Sequence, residues 1–513
     1  MGEKEKAFSN RDKDVFLISL ERGIDRGALI SRYSRASALD IRDVYDKEFA
    51  DNPDRGSEFY NKVFSEYGDE SIAELIYAQL GIQNVSNVVT KMMEEQRIGL
   101  SFIEKSSRYV RYDKKGVEGY LYLKPEKIGI SGILASDYTD LCDSLFSLYA
   151  KTYEPLKKII QDMYPSGSCV FTSRKSGSSA YLDSMEPEER KLALKAYDTA
   201  VRARALDDLR YFLPASTLTN LGVSGNARAF TYLIARLRSS GLQEAKLLAQ
   251  SIFEELNREF AEIIKTSGSI STGGFSSQPL SDHDSLPAGD ILDSSGVKLI
   301  GYNPEEEEIR RMGIAISVGN GSYNPIEARA VRSWIRSAAD RRKGRRDKPG
   351  REFEIPTYHF LVSTNYGAFR DMQRHRMMTI IRGALSTRAG FDIPEIIGKK
   401  EDMLSEFKEI MTRASLVWEA LRSAHGSEVA QYCIPYAYKY PVYVAMNARE
   451  LVHFAELRST PQAHYDLRKI AVRMHDEVSR VHPSIALIAK FVDKREYPLG
   501  RIFSEFRKEK KLA

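Results

Sequence analysis

Apolar residues recur at steps of three and four through Leu248, Ile252, Leu256, Phe260 and Ile263, and again through Leu467, Ile470, Met474, Val478 and Val481. Each run predicts an amphipathic helix with one stripe turned to a core. A helical pattern also spans Tyr138 to Met163, and another begins with an acidic start at Glu186. The longest apolar stretch, Cys433 to Met446, is broken by Tyr, Lys and Pro and falls short of the ~18 residues a membrane span needs. Tyr432, Tyr436, Tyr438, Tyr440 and Tyr443 read as core packing around Pro435 and Pro441. From Thr266 to Ser295 the pattern gives way to Ser, Gly, Asp and Pro, too poor in apolar surface to offset ordering entropy, and so predicts a linker or long surface loop.

The two helices belong to a longer repeat. Leu213-Pro214 precedes Asn226-Ala227-Arg228, and Ile434-Pro435 precedes Asn447-Ala448-Arg449, with 12 residues from Pro to Asn in both copies and an offset of 221. An Arg follows about three turns on, Arg458 in the second copy and Arg238 or Arg236 in the first, and then the helix. Ser106-Ser107-Arg108-Tyr109 and Ser386-Thr387-Arg388 form a second pair at an offset of 280, so the first copy carries 59 extra residues, placed around 119–200. The expected organisation is a first domain over 1–265 with that insertion, a linker over 266–300 and a second domain over 301–513. At 513 residues, two large domains are the simplest division.

Composition narrows the function classes without choosing one. With 42% hydrophobic and 29% charged residues the chain is an ordinary globular protein, and bulk disorder is excluded. Cys142, Cys169 and Cys433 lie far apart, which offers neither a disulfide framework nor a cysteine-rich zinc site, and no metal is expected. The charged N-terminus lacks the apolar core of a secretory signal, so a cytoplasmic protein with no membrane association is expected. A net charge of +5 is too dilute to mark a nucleic-acid binder. Locally, however, Arg332 to Arg351 holds nine basic and two acidic residues. That run reads either as a solvated loop or as a patch for phosphate groups; it lacks the interleaved aromatics on which RNA bases stack, which favours a mononucleotide or cofactor over nucleic acid.

Arg374-His375-Arg376 adds planar forks suited to phosphate and carbonyl oxygens beside a ring donor. With Glu354 upstream, Asn447-Ala448-Arg449 downstream and the duplicated elements, the set resembles the flavin-dependent thymidylate synthase family, whose signature is Arg-His-Arg, seven residues, then Ser-x-Arg-Tyr, with an upstream His-x-Ser-x-x-Glu. The resemblance covers both halves. In the first, Asp69 to Glu74 occupies the upstream motif with Asp for His, Gln96-Arg97-Ile98 stands in place of the triplet, and seven residues lead to Ser106-Ser107-Arg108-Tyr109. In the second the triplet is intact, but nine residues lead to Ser386-Thr387-Arg388, and Ala389 replaces Tyr. The family's Arg before Leu-Pro is Arg210 in the first half and Gln431 in the second.

The resemblance implies an α+β fold of two homologous domains, each a mixed or antiparallel sheet packed with helices, and a homodimer imitating a tetramer of domains. It implies FAD as cofactor, dUMP as substrate, and NADPH and methylenetetrahydrofolate as co-substrates, with a single composite site built from both halves. By the same resemblance Glu104, Ser106, Arg108, Arg210, Arg374 and Arg458 bind the nucleotide, with Arg108, Ser106 and Arg374 closest to the chemistry. Ser71, Glu74, Glu354, Arg374, His375, Arg376, Asn447, Arg449 and His453 bind the cofactor. Ser71 and Glu74 read equally as a helix cap and its partner. Ser106 has no neighbouring base in sequence and is expected to hydrogen-bond rather than attack. A catalytically inactive or altered flavin- or nucleotide-binding paralogue is the alternative.

Overall fold

The computed structural model describes residues 6–37, 40–67, 70–96, 98–172, 179–268, 270 and 296–512; nothing is described of the side chains of 63–71. Most of the expected linker, 271–295, lies outside these residues, and strand β6, Val297–Gly301, opens immediately after it. The chain folds as a mixed helix and antiparallel-sheet protein made of two compact units. One unit gathers 1–105, 123–131 and 217–281; the other gathers 106–122, 132–216 and 282–513. The unit carrying the second sequence half thus also contains Ser106, Arg108 and Arg210 of the first.

The smaller unit has a three-stranded sheet in the order β1-β5-β2, formed by β1 (Tyr77–Ser86), β2 (Leu100–Glu104) and β5 (Leu218–Asn226). The larger has a short hairpin, β3 (Phe171–Thr172) with β4 (Ser179–Ala180), and a four-stranded sheet in the order β6-β7-β9-β8. Here β7 is Thr357–Asn365, β8 is Thr379–Ile381 and β9 is Lys439–Asn447. Period-2 burial fixes which face of β9 meets the core: Tyr440, Val442, Val444 and Met446 are buried and their neighbours are not. Four of the five tyrosines noted above are core residues; Tyr443 instead meets His359.

The repeat is visible in the pairing register. Tyr77 stands opposite Asn226 in one sheet and Thr357 opposite Asn447 in the other. Both asparagines then cap a helix: Asn226 Oδ1 accepts from Ala229 N at 2.8 Å ahead of Ala227–Ser239, and Asn447 Oδ1 accepts from Glu450 N at 2.9 Å ahead of Ala448–Arg458. This is the N-cap geometry that Asn supports best. The periodic runs form helices Gln243–Ile264 and Tyr465–Val481. Between Ser106 and Pro214 lie the helix Gly132–Met163, the β3–β4 hairpin and the helix Pro187–Leu209, the last leading into Leu213-Pro214 as Glu401–Ala430 leads into Ile434-Pro435.

Candidate functional site

Within the larger unit, Asn365 caps the helix Tyr366–Met372, and the chain leaves that helix directly into Arg374-His375-Arg376. A one-turn excursion places the triplet beside the N-terminus of the Asn447-capped helix. His375 is buried there, its Nδ1 at 2.9 Å from Glu450 Oε1, and its Nε2 accepts from Arg458 Nε at 2.8 Å. Because an arginine cannot accept, Nε2 must be the bare nitrogen, and Nδ1–H donates to Glu450. Burial, with Arg458 alongside, pushes the His375 pKa down to about 3, so the ring is a neutral strut at physiological pH. Arg458 spends a second donor on the Asp371 carbonyl at 2.9 Å. Arg374 and Arg376, on either side of His375, are exposed residues.

A second set of arginines converges from the segments that sequence order assigns to the first half. Arg210, 2% exposed, follows the helix Pro187–Leu209 and lies 3.4 Å from Asp371 Oδ2. Its Nε and Nη2 have no hydrogen-bond partner. Gly367 makes the approach possible, since a Cβ there would lie 3.0 Å from Arg210 Nε. Arg374 Nε is 3.8 Å from the other oxygen of Asp371, and Arg370 donates to Ser107 Oγ at 3.3 Å while lying over the Tyr436 ring. Ser106 Oγ accepts from Arg108 N at 3.2 Å, and no histidine is among its partners. Arg108 itself clasps Asp207 with both arms of its fork, at 2.6 and 2.9 Å.

Ser106, Ser107, Arg108, Arg210, Gly367, Arg370, Asp371 and Arg374 therefore line one slot, and in this conformation it encloses only ≈ 20 Å³, about the room for one water molecule. Two carboxylates already sit among its arginines. Burial opposes their charge, but Arg210 and Arg374 hold Asp371 well below the usual carboxylate range, and Arg108 does the same to Asp207. Neither aspartate was singled out from sequence, although Asp371 lies three residues before the triplet.

The residues expected to bind cofactor divide. Asn447 is occupied as a helix cap, and Arg449 donates to Glu354 at 2.8 Å and to the Pro349 carbonyl at 2.9 Å. The other unit repeats the pair: Arg228 meets Glu74 at 2.8 Å. Glu74 thus serves an ion pair, and the side chain of Ser71 lies outside the described residues. His453 meets Lys348 at 2.7 Å and stands 5.4 Å, ring to ring, from His375. Glu104 belongs to the smaller unit, where it pairs with buried Lys91 at 2.9 Å.

The first-copy triplet and the basic run can now be located. Counting nine residues on from the caps Asn365 and Ser86 sets Arg374 level with Glu95, whereas the strand register that sets Glu104 level with Arg382 sets it level with Gln96, as the spacing to Ser106 does. Arg97 is outside the described residues, and Glu95 pairs with Arg236. The basic run 332–351 is also not uniformly solvated: Arg342 is buried, with Nη2 2.6 Å from Glu456. Among the described residues, no group of three or more His, Cys, Asp or Glu side chains could hold a metal, and no helix is long and apolar enough to cross a membrane.

Fold and site together describe a duplicated α+β domain with arginines gathered around an interior slot. A family model described as thymidylate synthase complementing protein matches residues 25–261 and 298–484, and the chain belongs to that family. A UPF0159 protein of Thermoplasma acidophilum is 47% identical over 501 residues, covering 96% of this chain and 99% of its own. Another, from Chlamydia muridarum, is 30% identical over 98% of this chain and 96% of its own. The flavin-dependent thymidylate synthase of Pyrococcus furiosus is 34% identical over 91 residues, 18% of this chain and 37% of that enzyme. Among solved structures, a UMP/dUMP methylase from Streptomyces cacaoi bound with 5-Br UMP shares 20% identity at a TM-score of 0.30, over 38% of this chain and 94% of its own.

Proposed function

We propose that this protein methylates dUMP to dTMP reductively, with FAD as cofactor and methylenetetrahydrofolate and NADPH as co-substrates, at one composite site per chain. The observation carrying this reading is that Ser106, Arg108 and Arg210, from one sequence half, and Arg374 and Arg458, from the other, lie in one compact unit around Asp371. Arg210 keeps two buried donors without partners, a costly arrangement that a dianionic phosphate would relieve. Arg374 follows as the second phosphate ligand, Arg108 and Ser106 orient the nucleotide, and Arg458 is aimed by neutral His375.

The donor set fits the diphosphate of FAD in charge: Arg374 and Arg376 flank His375 in the chain, and Lys348 meets His453, whose ring lies 5.4 Å from that of His375. Bound there, the flavin supplies the redox chemistry that no side chain can. The protein's share is to bind, orient and exclude water. Asn447, Arg449 and Glu354 support that surface through the cap and the ion pair rather than by presenting free donors. The chain is proposed to act as a cytoplasmic homodimer.

A second reading, a non-catalytic nucleotide- or flavin-binding paralogue, is favoured by one feature: Asp207 and Asp371 already neutralise the arginines that a substrate would engage. The deciding experiment measures FAD and dUMP bound per chain, with Arg376→Ala and Arg108→Ala. One flavin per chain, lost with the first substitution, and dUMP binding lost with the second, is expected. Two flavins per chain, or indifference to both changes, overturns the composite site, and dTMP formation from the four reactants separates enzyme from binder.

A further inference from the structure

The larger unit holds a second concavity, a cleft of ≈ 510 Å³, that the slot does not account for. Its walls come from the helix Pro187–Leu209, the start of the helix Tyr465–Val481 and the segment Lys494–Arg501. That last segment lies beyond residue 484, where the family match ends. Nine Lys and Arg against four Asp and Glu line the cleft. Several of these cations are already committed: Lys494 to Asp476, Arg495 to Asp493, Arg468 to backbone carbonyls. Arg501 is different. It is 4% exposed, yet its Nε and Nη1 have no hydrogen-bond partner, and its nearest carboxylate oxygen, on Asp207, is 3.9 Å from Nη2. Asp207 is itself occupied by Arg108.

The position of Arg501 is built. Gly500 passes so close to the Pro461 carbonyl that a Cβ would lie 2.0 Å from its oxygen, which locks the chain just before Arg501. The guanidinium carbon then lies 4.1 Å from the centroid of the Tyr109 ring. A buried fork with two unspent nitrogens in a cationic cleft is unfavourable without an anion to receive them. Lys469, exposed on the same wall, adds a mobile charge.

We propose that this cleft is an anion site for a phosphate group, with Arg501 as its principal ligand and Lys469 as a second, distinct from the slot around Arg210. A planar fork suits two phosphate oxygens, and the cleft has room for a phosphorylated small molecule. The cleft adjoins the slot at Arg108, which lines both, whereas Arg501 and Lys469 line the cleft and not the slot. Calorimetric titration of the full chain with inorganic phosphate and with pyrophosphate tests it. Saturable binding is expected, weakened at least tenfold by Arg501→Gln and partly restored by Arg501→Lys. If Arg501→Gln does not fold, Lys469→Gln, at an exposed position, must weaken binding about threefold. No saturable binding to the wild-type chain, or binding indifferent to the cleft variants, overturns the site.

Discussion

Asp371→Asn separates the internal ion pairs from the ligand they resemble. At 3.4 Å, the Arg210–Asp371 attraction is about 5 kcal/mol at an effective dielectric constant of 20. Removing the carboxylate also removes its own desolvation cost, but it leaves Arg210, 2% exposed, without a counter-charge. Broken buried pairs typically cost about 3–5 kcal/mol, and the amide's remaining oxygen puts this one near the lower end. At about 1.4 °C per kcal/mol for a unit of this size, Tm should fall by roughly 4–5 °C. If the slot receives the dUMP phosphate, the ligand replaces the missing charge. A hundredfold excess over Kd contributes about 2.7 kcal/mol, nearly the whole loss. Differential scanning fluorimetry with and without dUMP should therefore show a less stable variant with a larger dUMP-induced shift than the wild-type chain, in which the nucleotide competes with Asp371. A variant melting within about a degree of wild type, or a dUMP shift no larger than wild type's, refutes the reasoning.

Three further outcomes follow from the geometry. Gly367→Ala puts a methyl 3.0 Å from Arg210 Nε and should weaken dUMP binding about tenfold by equilibrium dialysis, with little loss of helix in circular dichroism. Arg342→Ala, which strands buried Glu456, should cost about 3–5 kcal/mol in urea titration, whereas Arg342→Met combined with Glu456→Leu should recover most of it, because two apolar groups leave no orphaned charge. Stability should also fall as pH drops below about 6.5. Burial lowers the pKa of His375 to about 3 and also lowers His453, His464 and His475, so the unfolded chain binds protons that the folded one refuses, and that loss grows with acidification. Buried Asp466, raised to about 6, and Asp208, also raised, act the other way, since the folded chain keeps their protons and gains stability as pH falls. Four groups against two leave the histidines ahead, at about 1.4 kcal/mol per pH unit for each excess proton. Urea midpoints at pH 7.5 and 5 check the sign.

The periodic helices were legible because a 3.6-residue period is a local rule, and the duplicated Asn-Ala-Arg element because its spacing repeats; the α+β character followed from the family resemblance, and the capping role of the two asparagines emerges only in the fold. Asp207 and Asp371 were not legible. An acidic residue on a helix reads as solvent-facing until a distant arginine is brought to it, and the Arg108–Asp207 contact joins residues 99 positions apart. The basic run misled for the same reason, because local composition cannot distinguish Arg342, folded onto Glu456, from its exposed neighbours.

The turn that follows β2 shows how the copies diverged. Glu104 pairs with Leu221 at the end of β2; the equivalent place after Ile381 in the other copy is taken by Arg382, which donates to Tyr440 Oη at 2.9 Å. Two more residues then intervene before Ser386, which accounts for the nine-residue spacer. Beyond it, Thr387 is buried against Ser415, Arg388 lies over Trp418, and Gln431, in the place of Arg210, accepts from Leu385 N at 3.4 Å. The second Ser-x-Arg element has become packing. Restoring Gln431→Arg alone should therefore create no second nucleotide site, because it would bury a guanidinium where Leu385 N loses its acceptor. Equilibrium dialysis should still count one dUMP per chain, at a cost in stability of several kcal/mol. A second bound dUMP would mean that Gln431 is all that distinguishes the copies, and that the altered turn is incidental.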